Sequence, residues 1–93
     1  MSNDHHFQIA GDKWLWRYSP LKGSADGWTE FDKRKVLIHS KLEGRKRLEI
    51  ELHEGLHAGF GQTISEESVT ETARDLARIL WSLGYRIQEE SQG

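Results

Sequence analysis

The second half of the chain repeats apolar residues with the period of an α-helix. Leucines recur every four residues between positions 48 and 56, which predicts a helix over residues 44–58. A second apolar stripe runs from Val69 to Leu83, and Ser65 stands before it as a natural N-cap residue. We therefore expect two consecutive helices in this half of the chain.

The first half has the pattern of short strands. Aromatic and β-favouring residues fill positions 13–18, and the segments 28–31 and 35–39 flank a short turn with the spacing of a hairpin. The ends of the chain, residues 1–6 and 88–93, are polar, and we expect them to be frayed. The predicted fold class is α+β, a small three-stranded antiparallel sheet followed by two helices in the order β-β-β-α-α.

Composition narrows the kinds of site that this chain can carry. Its 93 residues suffice for one small domain over residues 1–93, with a thin core. Cysteine is absent, so any metal must be bound by His, Asp or Glu. The sequence has neither a secretory signal pattern nor an apolar run of the roughly 20 residues that cross a membrane. We expect a cytoplasmic protein without a membrane partner.

The segment His53-Glu54-Gly55-Leu56-His57 is the strongest chemical signal in the sequence. A spacing of four residues places both imidazoles on one side of the predicted helix, where they can bind one metal ion. Glu54 falls at the border of the same apolar face, within reach of a metal-bound water as general base. Two ordinary half-buried histidines are the alternative, but desolvating such a pair is costly. The sequence therefore predicts a zinc site with Glu54 as the catalytic residue.

A catalytic zinc site needs a third protein ligand and an open position for water. The second predicted helix offers several carboxylates, of which Glu66 falls on the buried face beside Val69. Glu67 and Glu71 fall on the opposite side, although Glu71 and Asp75 have the spacing by which gluzincins place a ligand and its supporting aspartate. Glu66 is our first choice for the third ligand, and Glu67 and Glu71 stay open.

Four motifs occur in order along residues 26–87. They are DGW at 26–28, HEGLHA at 53–58, SEESV at 65–69 and LWSLGYR at 80–86. With these motifs the chain resembles the small HExxH proteins of phage and bacterial genomes, which are minimal relatives of gluzincin-like metallopeptidases. The resemblance implies zinc on His53 and His57, Glu54 as general base, and an acidic ligand from the SEESV segment.

Two functions follow as expectations. The first is a zinc-dependent hydrolase, a minimal metallopeptidase in which Glu54 activates a zinc-bound water. Its peptide or protein substrate would lie extended along an edge strand, for which residues 35–39 are the candidate. The second is a non-catalytic, zinc-stabilised binding module that contacts nucleic acid or an acidic partner through the basic segment 33–47.

Some polar and aromatic residues have open roles. His39 ends the predicted strand before the first helix and lies either at the surface or in the cleft. Glu49 falls inside the apolar arc of that helix, where it pairs with the basic segment or supports a ligand. The four tryptophans are best explained by packing in the core and at its rim, rather than by a binding platform.

Overall fold

The chain forms a four-stranded sheet followed by two helices. The computed structural model describes residues 4–88. Its elements are β1 (Asp4–Ile9), β2 (Asp12–Ser19), β3 (Gly27–Glu30), β4 (Lys35–His39), α1 (Gly44–Phe60) and α2 (Glu66–Ser82), with a short 3-10 turn (Gly61–Thr63) between the helices. The predicted α+β class, with a sheet followed by two helices, is confirmed.

The sheet is mixed, with the strand order β1-β2-β4-β3. The outer pairs, β1 with β2 and β3 with β4, are antiparallel, whereas β2 and β4 are parallel. The prediction of three antiparallel strands is therefore wrong, both in the number of strands and in the direction of the central pair. The connection from β2 to β4 is long enough for a parallel pairing because it includes β3.

Strand β1 is the element that the sequence pattern did not indicate. Most of its side chains are exposed and polar, so it has no clear alternation of apolar residues. Its hairpin to β2 turns at Ala10 and Gly11, both with positive φ, and an alanine there is not a usual turn signal. Residues 4–6, expected to be frayed, begin this strand. Residues 1–3 and 89–93 lie outside the described part of the chain.

The core lies between one face of the sheet and α1. It consists of Trp14, Val36, Ile38 and Ala58, with partly buried residues around them. Helix α2 packs against the other side of α1 and buries only Val69, Ala73 and Ala77. The molecule therefore has three layers, sheet, α1 and α2, and the sheet face turned towards α1 is called the inner face below.

Both helices begin and end close to their predicted positions. Helix α1 continues to Phe60 because the chain leaves the helix only at Gly61, whose φ is 61°. The predicted N-cap of α2 is confirmed, since Ser65 Oγ accepts a hydrogen bond of 3.0 Å from the backbone N–H of Ser68. Among residues 4–88 no helix has the length and apolar character needed to span a membrane.

A polar cluster fixes α1 on the sheet one turn before the HExxH segment. The Tyr18 hydroxyl donates a hydrogen bond to the Glu51 carboxylate, and Arg47 donates to the same carboxylate at 3.1 Å. The Arg47 guanidinium also lies 4.6 Å from the centre of the Tyr18 ring. Burial and the neighbouring Glu51 raise the pKa of Tyr18, so this hydroxyl stays a donor at neutral pH. These contacts hold α1 in a defined rotation above β2.

Candidate metal centre

Helix α1 presents two histidines on one side, one turn apart. The rings of His53 and His57 have centroids 5.0 Å apart and planes inclined by 62°. Each side chain is 20% exposed, so the pair lies at the rim of the α1–α2 interface rather than in the core. Both rings turn their Nε2 atoms towards the first residue of α2.

That first residue is Glu66, and its position follows from the N-cap at Ser65. Glu66 Oε1 lies 3.2 Å from His53 Nε2 and 2.7 Å from His57 Nε2. Across the described range, these three are the residues whose ligand atoms converge, all lying within 4.8 Å of one another. The alternatives Glu67 and Glu71 are not part of this group.

The three donor atoms fit a small divalent metal ion. Zinc binds nitrogen and oxygen ligands at about 2.0–2.1 Å, so tetrahedral ligand atoms lie roughly 3.3 Å apart. The distance from His53 Nε2 to Glu66 Oε1, 3.2 Å, already matches this spacing. The 2.7 Å contact to His57 is a hydrogen-bond length and would open by about half an ångström around a metal. Two imidazoles and one carboxylate are a donor set that suits zinc.

The charge of Glu66 matches this role. Partial burial acts to raise its pKa, but the hydrogen bond with His57 and the charges of both imidazoles outweigh it, so the pKa is lowered. The carboxylate is therefore ionised at neutral pH, as a metal ligand must be. Its side chain is 65% exposed, which leaves the site open to solvent on the α2 side.

Glu54 lies beneath this group, on the sheet side of α1. The sequence placed it at the border of the apolar face, but it is only 7% exposed and is the one buried charged residue of the described chain. Burial raises its pKa, and a hydrogen bond from Thr29 partly opposes that shift. The Thr29 hydroxyl lies 2.7 Å from Glu54 Oε1 and 3.2 Å from the Glu54 carbonyl oxygen.

A cleft of about 360 Å³ opens in front of these residues. Strand β3 and the turn after it form one wall, and the two helices form the other. The lining residues are Gly27, Trp28, Thr29, Phe31, His53, Glu54, His57 and Glu66. The HExxH residues and the acidic start of α2 therefore share one cavity with an aromatic wall.

The wall formed by β3 is an open edge of the sheet. The carbonyl oxygen of Asp26 accepts a hydrogen bond from His39 N–H at 2.8 Å. Counting from Asp26, every second residue therefore turns its main-chain groups towards β4, and the residues between them turn theirs away. The main-chain groups of Gly27 and Thr29 consequently point away from β4, towards the cleft side. The expectation that residues 35–39 are the edge strand is wrong, because β4 lies between β2 and β3.

Two residues with open roles lie outside the cleft. His39 alternates with the buried Ile38 and so projects from the outer face of the sheet, where its Nδ1 accepts a hydrogen bond from Lys41 N–H. Glu49 is half-buried in α1 and does not line the cleft. Of the tryptophans, Trp14 is in the core as expected, whereas Trp28 is 36% exposed and lines the cleft.

Sequence reasoning missed the β3 side of the site. Thr29 lay inside a correctly predicted strand, and strand alternation places it on the same face as Phe31. Nothing in the spacing of residues along the chain, however, relates this strand to a glutamate 25 positions later. A local sequence pattern can identify the HExxH residues but not the strand residue that contacts Glu54 across the interface.

Comparisons with known proteins do not assign the site. Searches against protein-family models, curated proteins and solved structures gave no significant match. The resemblance to small HExxH proteins stays a prediction, and the function of the site is argued below from its geometry.

Proposed function

We propose that the protein is a metal-dependent hydrolase, most consistent with a zinc peptidase. The observation that carries the proposal is the convergence of His53 Nε2, His57 Nε2 and Glu66 Oε1 directly above a buried carboxylate, at the wall of an open cleft. A site that only stabilised the fold would gain nothing from an additional buried carboxylate with a raised pKa. General-base catalysis requires such a group.

The residues of the site divide into metal ligands and a general base in this reaction. His53, His57 and Glu66 would hold the ion, which when bound lowers the pKa of a water molecule and polarises a carbonyl group. Glu54 takes the proton from the attacking water and passes it to the leaving nitrogen. Because burial raises the pKa of Glu54, this carboxyl group is a better proton acceptor and donor near neutral pH than an exposed glutamate.

The shape of the cleft supports a peptide as substrate. A polypeptide segment can pair with the free main-chain groups of Gly27 and Thr29 as an additional strand of the sheet. That pairing would bring a scissile carbonyl past Glu54. Phe31 is exposed and lines the same cleft, where it provides an apolar contact for a substrate side chain.

The test compares Glu54→Gln with the wild type. We expect the variant to bind one zinc ion as the wild type does but to lose about 10²- to 10⁴-fold in peptide cleavage, since it lacks the general base. Metal content by mass spectrometry and cleavage of a quenched-fluorophore peptide library measure the two properties. Unchanged cleavage in Glu54→Gln would disprove the mechanism.

A matched pair on α2 tests the metal ligand. Glu66→Gln should weaken zinc affinity by about 10- to 100-fold or more, whereas the exposed neighbour Glu67→Gln should bind zinc like the wild type. Isothermal titration with zinc measures both affinities. Equal weakening in the two variants would mean that general surface charge, rather than coordination, attracts the ion.

A non-catalytic, metal-stabilised binding module has less support. Several side chains of the basic segment 33–47 are engaged in ion pairs, namely Arg34 with Asp12, Lys46 with Asp26 and Arg47 with Glu51. Such pairing leaves less positive charge for a nucleic-acid partner. If zinc binds but no peptide is cleaved, salt-dependent binding of a fluorescent DNA or RNA oligomer would favour this alternative.

A further inference from the structure

We infer that Thr29 is a positioning residue for Glu54, holding one oxygen of the carboxylate so that the other faces the cleft. This inference rests on the proposed function and adds to it a residue from the sheet. Its basis is a hydrogen bond across the interface of β3 and α1, from Thr29 Oγ1 to Glu54 Oε1 at 2.7 Å.

The two carboxylate oxygens of Glu54 have different surroundings. Oε1 accepts the Thr29 hydrogen bond, and no other hydrogen bond to this carboxylate exists within residues 4–88. No side-chain oxygen of these residues is both fully buried and without a partner. Oε2 must therefore remain accessible, and the cleft that Glu54 lines is where it is accessible. One oxygen is held and one is left for a water molecule.

Thr29 is suited to hold a side chain in one orientation. A β-branched residue in a strand has a restricted χ1, so its hydroxyl has a defined direction. The hydroxyl also lies 3.2 Å from the Glu54 carbonyl oxygen. With a single hydrogen it donates to one acceptor at a time, and the carboxylate oxygen at the shorter distance is the better-placed acceptor.

The alternative is that Thr29 only fills space on the inner face of the sheet. Three substitutions separate shape from hydrogen bonding. Thr29→Val keeps the shape and removes the hydroxyl, whereas Thr29→Ser keeps the hydroxyl and removes a methyl group. Thr29→Ala, compared with Thr29→Ser, isolates the same hydroxyl should the valine variant fail to fold. Thr70→Val, at an exposed position of α2, is the control for the substitution itself.

The first measurement uses the metal-free protein and needs no turnover. Three-bond NMR couplings report the χ1 and χ2 rotamers of Glu54, and Glu51, held by Tyr18 and Arg47, is an internal control. We expect a single rotamer of Glu54 in the wild type, Thr29→Ser and Thr70→Val, and several in Thr29→Val and Thr29→Ala. A single, unchanged Glu54 rotamer without the hydroxyl would overturn the inference.

The second measurement uses the zinc-loaded protein. We expect kcat of Thr29→Val to fall by about 10- to 100-fold, with KM and zinc content unchanged, and Thr29→Ser to recover most of the rate. A kcat that falls in Thr29→Ser but not in Thr29→Val would contradict the inference, because the loss would then follow the missing methyl group rather than the missing hydroxyl. If the wild type cleaves no peptide, the proposed function fails, and the NMR couplings alone decide whether Thr29 positions Glu54.

Discussion

At the scale of single residues, Gly27 decides how closely the sheet approaches the site. A Cβ atom at this position would lie 2.9 Å from the Leu37 carbonyl oxygen, 3.0 Å from Ile50 Cγ2 and 3.2 Å from Glu54 Cγ. The first of these contacts is with backbone, which cannot rotate away. The glycine therefore allows β3 to lie against α1, and the Thr29 hydroxyl reaches Glu54 as a result.

We predict opposite effects for two Gly→Ala substitutions. Gly27→Ala should destabilise the fold by about 1–3 kcal/mol, because it inserts a methyl group into a filled interface, and should also lower activity by displacing Glu54. In Gly59→Ala the new Cβ would lie 3.6 Å from Ile9 Cγ2, an ordinary contact. That helical position should gain about 0.5–1 kcal/mol.

Urea unfolding of the two variants and the wild type measures both effects. The prediction is contradicted if Gly27→Ala is as stable and active as Gly59→Ala. Such a result would mean that β3 can move away from α1 without loss.

The residues of the site differ in how far sequence alone could identify them. His53 and His57 were identifiable because four-residue spacing on one helix determines their geometry. Glu66 could be ranked first from its side of the next helix, and it is the carboxylate that meets both histidines. Thr29 was not identifiable, since its partner depends on which strand packs beneath α1.

At the scale of elements, the helices were predictable and the sheet only partly so. Each helix depends on local signals, a repeated apolar stripe and, for α2, the serine N-cap. The parallel pairing of β2 with β4 joins residues about 20 positions apart, such as Leu15 with Lys35, and has no local signal. Strand β1 contributes few apolar residues, so its place in the sheet depends on hydrogen bonding to β2, on ring contacts such as Phe7 with Trp16, and on the ion pair of Asp4 with Arg17.

That ion pair makes the attachment of β1 depend on pH. Arg17 donates two hydrogen bonds to the Asp4 carboxylate, at 2.8 and 3.0 Å. The hydrogen bond from Arg17, with its positive charge, lowers the pKa of Asp4 below the ordinary value. A lowered folded-state pKa means that the stabilisation is present above the unfolded-state pKa and is lost as pH falls through the folded-state pKa.

We therefore predict that Asp4→Asn is less stable than the wild type at pH 7 and that the difference disappears in strong acid. Urea midpoints at pH 7 and at about pH 2, well below the ordinary aspartate pKa, measure the change. Because the pair is partly exposed to solvent, high salt should also reduce the difference at pH 7. A difference that stays constant with pH would assign the effect to something other than the charge of Asp4.

At the scale of the whole molecule, α2 is held in place mainly by its packing on α1. Its buried residues, Val69, Ala73 and Ala77, are small, and three large apolar residues near its end stay exposed. These are Ile79 at 44%, Leu83 at 70% and Tyr85 at 61% exposure. Burial of so little apolar area contributes little stability, so a metal bridge from α1 to Glu66 would add substantially to the attachment of this helix.

Zinc should accordingly protect α2 more than the sheet. At a free zinc concentration about 100 times the Kd, binding stabilises the fold by about 2.7 kcal/mol. Hydrogen exchange should show that chelation increases exchange in α2 first, while amides of Val36 and Ile38 at the sheet centre change little. Glu66→Gln, which binds zinc more weakly, should show a smaller response at the same zinc concentration. Equal protection of α2 with and without metal would contradict the bridging role.

Strand β3 has four residues, and only two of them, Gly27 and Thr29, turn their main-chain groups outward. An added segment could therefore form about four hydrogen bonds, each contributing about 0.5–1.5 kcal/mol. Main-chain hydrogen bonds do not depend on the identity of the side chains, and so short a strand can pair with only a few residues of any segment. We expect substrates to share a conformation rather than a consensus: accessible, unstructured stretches such as tails and linkers, while the same sequences inside a folded domain escape cleavage.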